Sequence, residues 1–168
     1  MWCATFLFIA ALFANGFCDA PKRDIMKDVI PDEIFKFFNT MTWEEKEALK
    51  EIKQAVYQST KNGSKLTPDE VNALVKEKST SMYDKKIALE STLKTKVDGL
   101  TSKGQDFINS LHITSVMTGT NYGVGDRNDM LALLRKENRD LTQDDRKAIV
   151  EAFPKFKRIF NYLKRKPT

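Results

Sequence analysis

Four times along this chain a Thr or Asp stands three positions ahead of an acid, at the start of a stretch with helical apolar spacing. Thr42 precedes Glu45 and Thr67 precedes Glu70. Both are capping boxes, in which the Thr oxygen accepts from the backbone N–H three residues on and the acid reaches back to the cap. Asp126 to Asp129 and Thr142 to Asp145 repeat the spacing with Asp, a weaker form. Pro68 follows Thr67 at the first helical position, where its missing N–H costs nothing. Pro31 opens a short first helix, and Gly63, Gly99 and Gly119 lie near helix ends. Strand signals are almost absent. A chain with this many helix starts is constrained to an all-α fold of seven or eight helices.

The apolar residues between these signals keep helical spacing. Leu49, Ile52 and Val56 form one stripe, and Leu89, Leu93, Val97 and Leu100 another. Phe107, Ile108 and Leu111 share a face, as do Met130, Leu131 and Leu134. The clearest stripe is Ile149, Phe153, Phe156, Phe160 and Leu163, spaced 4, 3, 4, 3. It runs through Pro154, which is expected to kink one helix without turning the stripe out of register. Residues 119–125 read as a loop. The length, 168 residues, fits one domain.

The first segment reads as a leader. Phe6 to Phe13 is an unbroken apolar run, too short for a bilayer core that needs about 20 residues. Ala14-Asn15-Gly16 places small residues at −3 and −1 of a cut after Gly16, and a cut after Ala20 is the alternative. The expectation is therefore a signal peptide over 1–16 and a mature helical domain over 21–168, secreted. A buried N-terminal helix is the competing reading.

Residue counts exclude much chemistry. Cys3 and Cys18 are the only cysteines, and His112 is the only histidine. Residues 19–168 therefore hold no disulfide framework and no Cys-ligated zinc site, and one chain has no multi-His metal site. Gly123-Val124-Gly125 lacks the third glycine and the preceding strand of a dinucleotide fingerprint. Asp126, Asn128 and Glu137 match three positions of a calcium loop, but Leu131 stands where glycine is required. His112 lies beside the Ile108/Leu111 face and reads as a packing residue. No nucleophile–base pair, cofactor motif or metal site is recognisable, so no enzyme is expected.

The net charge of +5 is unevenly placed. Residues 154–168 hold Lys155, Lys157, Arg158, Lys164, Arg165 and Lys166 with no acid. Such an end can attract anionic membranes, although basic residues there also complement a helix dipole. Nucleic-acid binding is not expected, because the C-terminal aromatics share one face and the cations mostly lie off it. Asn62-Gly63-Ser64 is an N-glycosylation acceptor pattern between two capped helices, or simply a turn.

Apolar residues exceed what single stripes need. Ile34, Phe35, Phe37 and Phe38 crowd five positions, and Met130, Leu131, Leu133 and Leu134 crowd another five. Surplus apolar surface in a secreted, disulfide-free chain calls for a partner: a lipid, a membrane or another chain. Periodicity does not choose among them.

The chain resembles the nematode fatty-acid- and retinol-binding proteins. The matching stretches are Val29-Ile30-Pro31-Asp32-Glu33 leading to Phe38, and Met41 through Glu51, which includes Thr42-Trp43-Glu44-Glu45. Ala73-Leu74-Val75-Lys76-Glu77-Lys78-Ser79 follows, then Lys96-Val97-Asp98-Gly99-Leu100 with Phe107-Ile108. Ala152-Phe153-Pro154 comes last, with Phe156 and Phe160 behind it. Residues 112–128 depart from the pattern, being richer in Thr, Gly and Asn. The resemblance implies an all-α fold enclosing an apolar cavity, a secreted monomeric carrier of fatty acids and retinol, and no cofactor. Joined to the stripes, it makes Leu49, Ile52, Val56, Leu74, Leu93, Val97, Phe107, Ile108, Leu111, Phe153, Phe156 and Phe160 the expected pocket lining. It also implies a kinase consensus at Thr42, where the cap already uses the hydroxyl. The second expectation is an interaction protein that docks its basic C-terminal helix on anionic membranes.

Overall fold

Eight helices account for nearly all of the described backbone in a computed structural model that describes residues 28–64, 66–111 and 127–165, and at 127–130 and 165 the backbone alone. They are α1 (Asp32–Asn39), α2 (Trp43–Lys61), α3 (Pro68–Lys78), α4 (Thr80–Asp98), α5 (Ser102–Ser110), α6 (Arg127–Arg139), α7 (Gln143–Ala152) and α8 (Phe156–Arg165). There is no strand among the described residues. No helix among them is long and apolar enough to cross a membrane. The leader, both cysteines, His112, the 119–125 loop and the Asp126 cap lie outside the described residues.

Helix starts fall where the capping signals place them. Thr42 accepts from the Glu45 N–H at 3.3 Å, and the Thr42 N–H donates to Glu45 Oε2 at 2.9 Å. Thr67 with Glu70 and Thr142 with Asp145 close the same reciprocal pair, and Pro68 is the first residue of α3. Thr101 caps α5 by accepting from the Gly104 N–H at 3.1 Å. Each such cap satisfies backbone donors that no helical carbonyl can reach, and losing one costs about 1 kcal/mol. Pro31 stands just before α1, where its carbonyl accepts from the Ile34 N–H. At the far end of α2, Gly63 has φ +76°, the left-handed region that glycine enters without a Cβ penalty.

One expectation needs correction. Pro154 breaks the helix instead of kinking it. The residue before a proline is pushed out of the helical region, and Phe153 is extended at φ −133° and ψ 83°. Its N–H still closes α7 onto the Ile149 carbonyl at 2.8 Å, and α8 begins at Phe156. The stripe survives: Ile149, Phe153, Phe156 and Phe160 are all buried, Ile159 joins them, and Leu163 is half-buried.

The chain divides into two compact units, one formed by Lys36–Ser91 and the other, among described residues, by 28–35, 92–111 and 127–165. In the first, α2 packs against α3, and Ala48, Leu49, Ile52, Val71, Val75, Met82 and Leu89 are buried. In the second, α5 packs against α6 and α7, and α7 packs against α8. Leu93, Val97, Leu100, Ile108, Leu111, Leu134, Leu141 and Ile149 are buried there with the phenylalanines.

Candidate functional site

The second unit is built around four rings. Phe107 on α5 meets Phe156 edge-on at 5.8 Å and 73°, and Phe160 at 5.8 Å and 41°. Phe156 also meets Phe153 at 6.2 Å and Phe160 at 6.1 Å. These separations and tilts are those at which aromatic quadrupoles attract. The geometry follows from the proline break, because Phe153 turns as the cap of α7 while Phe156 and Phe160 ride one face of α8.

Cations fringe this cluster. The Lys96 ammonium lies 5.4 Å from the centre of the Phe153 ring, donates to the Ala152 carbonyl at 2.8 Å and pairs with Glu33. Lys155 pairs with Asp32 at 2.6 Å, donates to the Ile30 carbonyl at 3.3 Å and sits 3.9 Å above the Phe35 ring. Part of the surplus apolar surface of α1 is thus met by cation–π contact. Arg158 pairs with Asp28 at 3.4 Å. A shallow cleft opens here, between Asp28, Pro31, Asp32 and Glu33 on one side and Phe153 to Phe156 on the other. Two of the six cations of the basic C-terminal run, Lys155 and Arg158, are therefore engaged by acids of their own unit.

Two capping acids do more than cap. Asp145 is buried and accepts from the Thr101 hydroxyl at 2.6 Å as well as from Thr142, joining the N-termini of α5 and α7. The hydrogen bond from Thr101 comes first, followed by those from Thr142, in lowering the Asp145 carboxyl from 3.8 to about 2. In the first unit Glu45 is buried and accepts from the Ser81 hydroxyl and the Lys85 ammonium, each at 2.8 Å. Burial pushes this carboxyl up, but Lys85, the Thr42 N–H and Ser81 together outweigh it and leave it below the usual range.

The expected lining residues fall into both units. Leu49 and Ile52 are buried in the first, where Val56 and Leu74 are half-buried. Leu93, Val97, Phe107, Ile108, Leu111, Phe153, Phe156 and Phe160 are all buried in the second. The stripes missed one feature. The buried face of α4 continues through Leu89 back to Lys86 and Met82, and Lys86 is completely buried. Its ammonium pairs with Glu90 Oε1 at 2.5 Å, one turn further along the same helix. Burial, more than the opposing pull of Lys86, raises the Glu90 carboxyl above its ordinary value. The signal in the sequence is a lysine three residues before Leu89, in line with an apolar stripe.

Asn62 is exposed at the end of α2, next to Gly63. Thr42 is committed to its cap. Among the described residues no group of three or more His, Cys, Asp and Glu side chains could hold a metal ion.

Against known proteins, residues 25–166 match a family model described as nematode fatty acid retinoid binding protein (Gp-FAR-1). The chain is similar to fatty-acid and retinol-binding protein 2 of Caenorhabditis elegans, with 31% identity over 146 residues, covering 83% of this chain and 76% of the relative. No solved structure matches it.

Proposed function

Because this chain belongs to the nematode fatty acid retinoid binding protein family, we propose that it is a secreted carrier that holds fatty acids and retinol among its helices and performs no chemistry on them. The observation that carries this reading is the family match across residues 25–166. The apolar run at Phe6 to Phe13 and the small residues after it support export, with 21–168 as the mature lipid-binding domain.

The candidate ligand-contacting residues are those of the predicted stripes, taken unit by unit: Leu49, Ile52, Val56 and Leu74 in the first, and Leu93, Val97, Phe107, Ile108, Leu111, Phe153, Phe156 and Phe160 in the second. The energetics suit a carrier. Burying about fifteen methylenes contributes roughly 12 kcal/mol at about 0.8 each. Lost ligand freedom and ordering of the acyl chain offset several kcal/mol of that, leaving micromolar or tighter binding. Asn62, exposed in its acceptor pattern, is the position at which a glycan would be attached.

A fluorescent fatty acid titrated into the purified chain tests the reading. Its emission shifts to the blue on binding and is reversed by oleate and by retinol. No displacement at micromolar competitor overturns it. The membrane-docking alternative draws no support from the basic C-terminal run, in which Lys155, just ahead of α8, pairs with Asp32 and Arg158 on α8 pairs with Asp28.

A further inference from the structure

The first unit contains a charge where an apolar side chain would pack better. Met82, Lys86 and Leu89 follow one another at intervals of four and three on α4, so they share a face, and all three are buried. Lys86 has no exposed surface, and Glu90, one turn on, is buried with it. This arrangement is a poor device for stability. Removing two charges from water costs several kcal/mol for each ion, and a hydrophobic pair of similar volume is often as stable or more so. Lysine four residues before glutamate is also the less favourable order on a helix. The other i,i+4 pairs of these helices, Lys94–Asp98 and Lys147–Glu151, sit in water, where such pairs are common and cost little.

We propose that Lys86 is the cation that receives the carboxylate of a bound fatty acid, with Glu90 balancing its charge until the ligand arrives. The inference rests on the carrier function proposed above and names the headgroup end of that site. An ammonium has three donors, and Glu90 is the partner of Lys86 among the described residues. A second carboxylate can therefore share it without displacing Glu90 completely. Burial outweighs the pull of Lys86 and raises the Glu90 carboxyl above its ordinary value, so its charged form is less favoured than that of an exposed carboxylate. The flanking Met82 and Leu89 supply apolar surface for the first methylenes of the chain. Retinol ends in a neutral hydroxyl and has no charge for Lys86 to neutralise. The pair thus separates two ligand classes: the acid depends on Lys86 and the alcohol does not.

A competing cation makes the test sharp. Lys53 lies beside Ile52 on α2, half-buried, and burial lowers its ammonium from the ordinary value. Oleate and retinol dissociation constants are measured for the wild type, Glu90→Gln, Lys86→Met/Glu90→Gln and Lys53→Met, each checked by circular dichroism. The double variant removes both charges, so no buried ion is left unpaired. It should lose oleate affinity by about tenfold or more, the scale of a charge-assisted hydrogen bond, with retinol changed by less than about threefold. Glu90→Gln removes the competing carboxylate and should tighten oleate alone. Lys53→Met should leave the ratio of the two affinities unchanged.

Equal changes for the two ligands in the double variant, or an acid-specific loss in Lys53→Met, overturn the assignment. Should the double variant fail to fold, Glu90→Gln decides: unchanged or weaker oleate binding refutes it. A wild type that binds neither ligand would instead defeat the carrier reading itself.

Discussion

Phe107→Ala is the most direct probe of the ring cluster. Phe107 is 1% exposed and has two ring partners on α8, Phe156 and Phe160, each at 5.8 Å. Cutting it to alanine removes the transfer energy of a buried ring and leaves a cavity that its neighbours cannot fill by moving together. Both partners are fixed to one helix, and Phe156 is held by Phe153 as well. Large-to-small changes of this kind cost about 3–5 kcal/mol. Two aromatic contacts, at about 0.5–1.5 kcal/mol each beyond area burial, place this one in the upper half, at about 4–5 kcal/mol. That is a large share of a typical stability of about 5–15 kcal/mol. For a chain of this length it lowers the melting temperature by roughly 8–20 °C, at about 2–4 °C per kcal/mol. Urea denaturation followed by far-ultraviolet circular dichroism measures it, with Phe107→Leu as the milder control. A loss below about 3 kcal/mol, the low end for cutting a buried ring to alanine, would refute the claim that these rings pack as one cluster.

Three further outcomes follow from particular contacts. The Asp145 carboxyl is depressed from 3.8 to about 2, so the stability it contributes is complete above about pH 4 and is lost as the pH falls through 2. Asp145→Asn should flatten that acid limb in urea midpoints measured between pH 5 and pH 2, and an unchanged slope would count against the Thr101–Asp145–Thr142 junction. Thr67→Ala removes the cap of α3 and should cost about 1 kcal/mol, read from the same denaturation curves. A shift no larger than a surface substitution, about 0.5 kcal/mol, would mean the box is not made. Trp43 is 71% exposed as the first residue of α2. Trp43→Phe should therefore leave stability within about 0.5 kcal/mol, and a larger loss in thermal melts would show that the indole is packed.

Much of the helical framework was legible because its signals are local. A Thr or Asp cap, an acid three residues on and a proline or glycine at the right end act over one turn, so α2, α3 and α7 begin at their boxes. Apolar spacing then identifies the inward face. Leu49 and Ile52 are buried, as are Phe107, Phe156 and Phe160. The break at Pro154, where the apolar spacing predicts a kink, has an equally local cause. The stripe continues in register across the break, so apolar spacing carries no trace of the constraint that proline places on Phe153. Breaking the helix keeps the stripe facing inward while freeing Phe153 from helical geometry.

The residues themselves determined that this chain is helical, where most of its helices start, and that its apolar surface exceeds ordinary stripes. Family membership was legible too, since ordered motifs survive without coordinates. Tertiary structure alone decided which charges those surfaces accept. Whether Lys86 reaches water depends on what other segments lay over α4, and no rule of spacing contains that. The same holds for Asp145 and Glu45, whose caps are local but whose second partners, Thr101 at one and Ser81 and Lys85 at the other, come from 36 to 44 residues away. Capping and periodicity are near-neighbour physics. Burial and electrostatic pairing are set by neighbours brought close only when the chain folds.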